Sequence, residues 1–331
     1  MLKRMLVLLI VQLLAIQTVV AQEGFHGFVF GGIGYTEAKT NTIKGNDFIS
    51  IGNSRVSSFS RSPKSQSDAH AAFAFEFSYG FKNGVEVFTG TSLEDYLRFD
   101  STTQIGARTT FGNLGRMSAG FVFAPIVTEV WSDPYLLDSK REETDRSSKG
   151  IRVQWDQMFG TGLGVTITAR EIEIDDELSG TDPSLGLTPS EIRLLDREGD
   201  QVSAVVEYVF KIGDRHRLTP SFRYVDRDRD GGAEKAESVG GQLTYLYNTP
   251  DFSFATNVFV SKDDFDKANP IFGRDRDQDV WGASATFFLP AAWAGERWRW
   301  QLTTAYGKAD SDIDFHDNEV WTNSVGLIVR W

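Results

Sequence analysis

The chain contains no cysteine. Disulfide cross-links and thiolate chemistry are both excluded, and an oxidising compartment can do it no harm. Histidine is scarce too: His26, His70, His216 and His316 are all there are. No Gly-x-Ser-x-Gly nucleophile motif is present, so an enzyme is not expected. His26 and His70 could meet on neighbouring strands, where a structural role is the expectation. After residue 21 no apolar run is long enough to cross a bilayer as a helix. No linker, composition shift or repeat divides the chain, which predicts one domain from 22 to 331. A formal charge of -12 argues against nucleic acid as a partner.

The first 21 residues read as an address. Lys3 and Arg4 give a charged start, and the apolar run that follows is broken only by Gln12 and Gln17. Val19 and Ala21 are small residues at the spacing of a signal-peptidase site, so cleavage after Ala21 is expected. A membrane anchor is disfavoured, because the run is short and no stop-transfer charges follow it.

What is present is a period of two. Across 323–331, Val325, Leu327, Val329 and Trp331 point one way, and Ser324, Gly326, Ile328 and Arg330 point the other. That alternation predicts a strand with one apolar face. An ending on a bare aromatic suits the closing strand of an outer-membrane barrel, with apolar residues on lipid and an aromatic at the interface. The same ending resembles the signal such proteins show to the barrel-insertion machinery. That machinery is an expected partner, together with outer-membrane lipid and lipopolysaccharide.

Aromatics make up 13% of the chain. Their alternation with polar residues fits an all-β, transmembrane antiparallel up-and-down β-barrel with a polar interior. Strand patterns fall at 25–35, 70–79, 85–92, 104–111, 117–123, 151–159, 163–173, 202–210, 217–225, 239–247, 252–261, 280–289, 298–307 and 323–331. The count is about fourteen, even as single-chain bacterial barrels require. Turns at Asn83, Asn113, Gly160, Gly213 and Pro250 are short. Between them come long connections at 36–68, 125–148, 175–199, 226–235 and 263–277. Short turns mark the periplasmic side and long loops the cell exterior. A soluble β-sandwich also alternates, but gives no reason for side-dependent loop lengths.

Parity then separates inside from outside. With Trp331 on lipid, the inward set includes Glu76, Glu86, Gln104, Arg108, Arg152, Gln154, Asp156, Arg170, Glu207, Arg223, Gln242, Asn257, Arg299, Gln301 and Arg330. Eight-stranded barrels are filled by side chains, whereas one near fourteen strands has room for a water-filled path. The charged members are candidate pore-lining residues that set a transverse field for small hydrophilic solutes. The alternative is that they pair across the lumen and brace the wall.

One spacing resembles a calcium loop. Asp226, Asp228, Asp230 and Gly231, with Glu237 six further on, match the order of an EF-hand's oxygen ligands and sharp turn. Strands rather than helices flank it, and Arg227 and Arg229 interrupt it. An acidic external hairpin tip is the plainer reading. No cofactor is expected beyond a divalent cation at such acidic loops.

Several short runs together resemble a family of bacterial outer-membrane proteins known only as a domain of unknown function. They are Trp131-Ser132-Asp133-Pro134, Lys140-Arg141-Glu142-Glu143-Thr144-Asp145 and Asp196-Arg197-Glu198-Gly199-Asp200. Leu218-Thr219-Pro220-Ser221-Phe222, Ala268-Asn269-Pro270-Ile271-Phe272-Gly273 and Asp312-Ile313-Asp314-Phe315 complete the set. The resemblance covers most of the chain after residue 21. It implies an outer-membrane location and brings no catalytic or ligand residues. Most of these runs fall in expected external loops or at strand ends, where binding residues concentrate. They either fold into the mouth and set what enters, or pack on one another as a lid. The leading expectation is a porin-like passive channel. The alternative is a closed barrel serving as a structural or ligand-binding surface protein.

Overall fold

The computed structural model describes residues 23–91 and 102–331. The expected signal peptide lies outside the described residues, as does Ser92 at the expected end of the third strand. No described helix is long and apolar enough to cross a membrane.

Fourteen antiparallel strands form the wall: β1 Gly24–Lys39, β2 Ser65–Gly80, β3 Val85–Gly90, β4 Thr103–Thr110, β5 Arg116–Phe123, β6 Glu143–Asp156, β7 Leu163–Ile174, β8 Gly199–Tyr208, β9 His216–Arg229, β10 Ala236–Asn248, β11 Ser253–Phe265, β12 Gln278–Pro290, β13 Trp298–Ser311 and β14 Asn318–Arg330. Phe210–Ile212 continues β8 past a break at Val209. Short strands Ile43–Asn46, Ile49–Ser50 and Thr128–Trp131 extend the sheet at its outer end. Each wall strand pairs with its sequence neighbour, and β1 pairs with both β2 and β14. The barrel is closed, so no edge is left with unpaired backbone groups in lipid.

The closure seam runs through glycine. Gly32 and Gly326 are register partners on β1 and β14. A Cβ on Gly32 would press on the Val325 carbonyl and the Gly326 Cα, and one on Gly326 would meet Gly31 and Gly32 in the same way. At the lower end Gly27 and Trp331 exchange both backbone hydrogen bonds, at 3.3 Å each. The short turns form for local reasons. In the first, the Val85 amide donates to the Asn83 side chain at 3.1 Å, and Gly84 takes φ 83°, where a side chain would be strained.

The alternation sorts residues between two solvents. On β2, Phe73 and Tyr79 are exposed while Ala74 and Ser78 are buried. In a closed barrel the exposed apolar face is the outer one. Val29, Ile33, Ile105, Phe121, Ile151, Val153, Ile167, Val202, Phe222, Val258, Val260 and Val325 continue that face around the wall. Aromatics ring its lower edge. Trp331 stacks on Phe25 with ring centroids 5.8 Å apart, and Phe25 on Phe77 at 6.1 Å. Trp155 with Phe159, Tyr208 with Phe210, and Tyr247 with Phe252 carry the ring onward. Tyr35, Trp281, Tyr306 and Trp321 form an upper set on the same face. From Phe25 to Tyr35 the strand rises about 33 Å at 3.3 Å per residue. A tilt near 40° reduces this to about 25 Å along the axis, the height of a bacterial outer-membrane apolar band.

The strands extend further outward than the alternation predicts. β6 starts at Glu143 rather than near 151, β9 ends at Arg229 rather than 225, and β11 reaches Phe265. Beyond the lipid belt the outer face meets water, so nothing selects apolar residues there and the pattern fades while the ladder continues.

This corrects the calcium-loop reading. Asp226 and Asp228 lie on β9 itself, and Asp226 stands opposite Glu237 of β10 in the ladder. Asp228 is ion-paired with Lys235. Only Asp230 is in the turn. Among the described residues no group of three or more His, Asp or Glu is placed to hold a metal ion. The two histidines of the first strands do not meet either. His26 is a register partner of Ser78 and His70 of Gly34, so they stand at opposite ends of the β1–β2 pair.

Candidate functional site: the lumen and its lid

The inward face has three zones. Near the periplasmic end Phe28, Phe30, Ala74, Phe288 and Ile328 form a buried apolar cluster on the side where the barrel closes. A polar interior was expected on this face, with Ile328 the one apolar residue that the closing-strand alternation set opposite Trp331. Phe28, Phe30 and Ile328 nonetheless occupy inward positions on their strands, so the same parity finds them. Arg330 lies over the Phe288 ring at 5.6 Å.

Beside that cluster, on β2, β3 and β4, sits an ion network. The Arg108 Nε donates to Glu86 Oε1 at 2.8 Å. Its Nη2 reaches Glu76 Oε1 at 2.8 Å and Ser78 Oγ at 3.1 Å. His26 Nε2 lies 3.1 Å from Glu86 Oε1. Phe88 packs under the guanidinium at 4.8 Å. Alternation alone puts Glu76, Glu86 and Arg108 on one face, and here they meet. Their contacts are those of a brace: one cation held by two carboxylates in a place with little water.

The third zone is the wall from β6 to β9. One ladder rung joins Arg152, Thr168, Ser203 and Val225. The Arg152 Nε donates to the Thr168 Oγ1 at 2.9 Å. The next rung outward carries Arg170, Gln201 and Arg227. Below them come Arg223, beside Val205, and then Asp156 and Glu207, with Arg116 held to Asp156 at 3.1 Å. Arg223 is turned inward at mid-strand and is nonetheless exposed. Gln301, Asn257 and Gln104 are buried on inward faces, Gln242 is half-buried, and Arg299 lies near the periplasmic turn, donating to the Pro250 carbonyl at 3.2 Å.

The outer end is covered. Tyr135, Leu195, Ile313 and Phe315 form a second buried apolar cluster, with Val56, Phe59, Leu185, Leu187, Ile271 and Phe272 packed against it. These residues come from five different external connections. Phe315 is fully buried, with its ring 5.7 Å from Tyr135, 5.6 Å from Phe59 and 5.7 Å from Phe272. Arg141, 1% exposed, ties the lid's backbone together. Its Nη1 donates to the carbonyls of Asn41 at 2.6 Å and Pro134 at 2.9 Å, its Nη2 to that of Asn53, and it lies over Trp131 at 4.5 Å. Burial pushes its pKa down to about 9, so it stays charged at pH 7. Asn269 Nδ2 donates to the Tyr135 hydroxyl at 3.0 Å, which stands 3.4 Å from His316 Nε2. Burial raises the Tyr135 hydroxyl, and burial beside Arg276 and Arg197 holds His316 well below the ordinary imidazole range. Asp133 is pushed up by burial, although the amides of Gly180 and Tyr135 donate to it.

The family model described as Protein of unknown function (DUF2860) matches residues 24–329. The chain belongs to that family. No curated protein matches it. Solved structures with a similar course include the outer membrane channel DcaP of Acinetobacter baumannii, at 11% identity and TM-score 0.41, covering 95% of this chain and 100% of that one. An outer membrane channel from Pseudomonas putida F1 has 11% identity and TM-score 0.45, covering 96% and 98%. An anion-selective porin from Comamonas acidovorans has 8% identity and TM-score 0.41, covering 93% and 98%.

Five of the six runs that carried the family resemblance contribute to the lid, while Leu218 to Phe222 lies on β9 in the wall. Trp131, Pro134 and Arg141 from the β5–β6 connection, Arg197, Asn269 to Phe272, and Ile313 to Phe315 from three others come together there. Arg197 shows the pattern: it pairs with Glu177 at 2.7 Å and donates to the Trp131 and Ser132 carbonyls. Short motifs distant in sequence thus serve one compact structure at the mouth.

Proposed function

We propose that this barrel is a lidded diffusion channel for small hydrophilic solutes across the bacterial outer membrane. The observation that carries the reading is Arg223. It faces inward at mid-strand and remains exposed, so water reaches the middle of the wall. A space filled only by side chains would have buried it, as it buries Gln301 on β13. Arg152, Arg170 and Arg223, with Asp156 and Glu207 below, would line that path. Glu76, Glu86, Arg108, Arg299 and Arg330 would border it at the periplasmic end. A polar lining with charges of both signs lets hydrated solutes exchange water for protein contacts without a large desolvation cost.

The lid is the part that restricts entry. Its apolar core and its buried arginine favour a second reading, a closed barrel acting as a structural or ligand-binding surface protein. Purified protein in a planar bilayer separates the two. Stepwise conductance supports the channel, and a silent bilayer over many insertions supports the closed barrel. The reading includes cleavage of the leader after Ala21. It also includes recognition of the closing strand by the barrel-insertion machinery, and contact of the outer loops with lipopolysaccharide.

A further inference from the structure

The arginines of the β6–β9 wall are gathered under the lid. Arg170 and Arg227 share a rung, separated by Gln201. They stand about 10 Å apart at the backbone, two strand spacings. Arg229, one step further out, donates from Nη2 to the Gln201 Oε1 at 3.2 Å. Arg146 on β6 lies within electrostatic reach of Arg170, Arg227 and Arg197. Arg229 is close to Arg146 and Arg227 in the same way. Outward from the Gln154 rung, the described inward faces of these four strands carry no carboxylate. Carboxylates also reach in from elsewhere: buried Glu234, ion-paired with Arg276 at 3.0 Å, lies within electrostatic reach of Arg229 and Arg197. Asp263 of β11 meets Arg227 at 3.0 Å, and Glu177 pairs with Arg197. Among the described residues, the Arg146 guanidinium takes no hydrogen bond or ion pair.

Like charges brought together away from bulk water repel, and the arrangement is relieved when a counter-charge enters. Guanidinium forks match the oxygens of phosphates and carboxylates two at a time. Gln201 between the two rung arginines adds an amide donor at the same level. We infer that Arg146, Arg170, Arg227 and Arg229 form a binding site for a small polyvalent oxyanion beneath the lid. The site names the solute class of the channel proposed above and rests on that reading for its role. The site itself is testable whether or not the barrel conducts.

The test is thermal unfolding of the full barrel in detergent, with inorganic phosphate as one probe and citrate as the other, at constant ionic strength set by chloride. Wild type should be stabilised in a saturable way by at least one of the two. The Arg170→Gln/Arg227→Gln variant should bind at least about tenfold more weakly for each charge-assisted hydrogen bond removed. Arg146→Gln, which breaks no hydrogen bond, serves if the double variant fails to fold and should weaken binding in the same direction. Lys211→Gln, on the exposed continuation of β8, should leave binding unchanged. If neither anion stabilises wild type beyond chloride, or if the arginine variants bind as wild type does, the site is overturned. A silent bilayer with binding intact would end the channel reading and leave the site standing. Conductance without binding would do the reverse.

Discussion

Replacing Phe315 with alanine tests the lid as a distinct folded unit. Phe315 is fully buried and touches aromatic rings from three other loops, those of Phe59, Tyr135 and Phe272. Removing a fully buried phenylalanine costs about 3–5 kcal/mol, from lost transfer energy and the cavity left behind. At about 1.4 kcal/mol per factor of ten, the open fraction of the lid rises by roughly two to three and a half orders of magnitude. The barrel below does not share this cost, because its strands are held by their own ladders and by lipid. Two assays on one sample follow the two parts. Protease cleavage in the lid, in reconstituted vesicles, should accelerate by that factor if opening is fast relative to cleavage. The temperature at which the barrel unfolds on a heat-modifiability gel should stay within a few degrees of wild type. Unchanged cleavage would refute the claim that the apolar cluster holds the lid. A barrel transition that falls in step with lid cleavage would refute the separation of the two.

Arg108→Met leaves Glu76 and Glu86 facing each other without their shared cation, so the barrel should lose about 3 kcal/mol, measured as a lower urea midpoint at unchanged slope. Arg108→Met/Glu86→Gln should recover part of that loss. Gly326→Val forces a branched side chain onto the Gly31–Gly32 backbone of the closing strand pair, at a cost of about 1–3 kcal/mol or more, read as slower refolding into lipid and a lower unfolding temperature. The lid should also respond to pH through His316. Its pKa is depressed in the folded lid by burial and by Arg276 and Arg197, so the unfolded lid binds the proton first. Lid stability should therefore be full above about pH 6.5 and fall by up to about 1.4 kcal/mol per unit as pH drops below it. Protease cleavage of the lid measured between pH 7.5 and 5 checks this, and His316→Gln should flatten the profile.

The wall was legible in the sequence because lipid imposes one rule on every second residue. Trp331 fixed the parity, and it sits in the lower aromatic ring, stacked on Phe25. The rule holds only where lipid applies it. Above the belt, Asp226 and Asp228 alternate with Arg227 and Arg229 along β9, and the sequence looks like an acidic loop. Carrying the parity two residue pairs further puts the arginines inside and the aspartates outside. That step exposes the basic wall. Of the inward apolar cluster, Ile328 was placed by the closing-strand parity, but Phe28, Phe30 and Phe288 were hidden for the opposite reason, since apolar residues at inward positions look like noise in the alternation. The lid was not legible from periodicity at all. Tyr135, Leu195, Phe272 and Phe315 are isolated apolar residues in polar loops, and only their meeting in space makes a core. The family runs included Phe272 and Phe315 and stopped one residue short of Tyr135 and Leu195, without showing that any of them touch.

The central claim is that water and small solutes pass through this lumen once the lid yields. Single-channel recording in a planar bilayer, on wild type and Phe315→Ala side by side, tests it most directly. Stepwise conductance is predicted in both, with the variant open for a larger share of the time or at a higher level. Silence from both proteins over many confirmed insertions would contradict the claim, and would leave the barrel as a closed structure with a binding site beneath its lid.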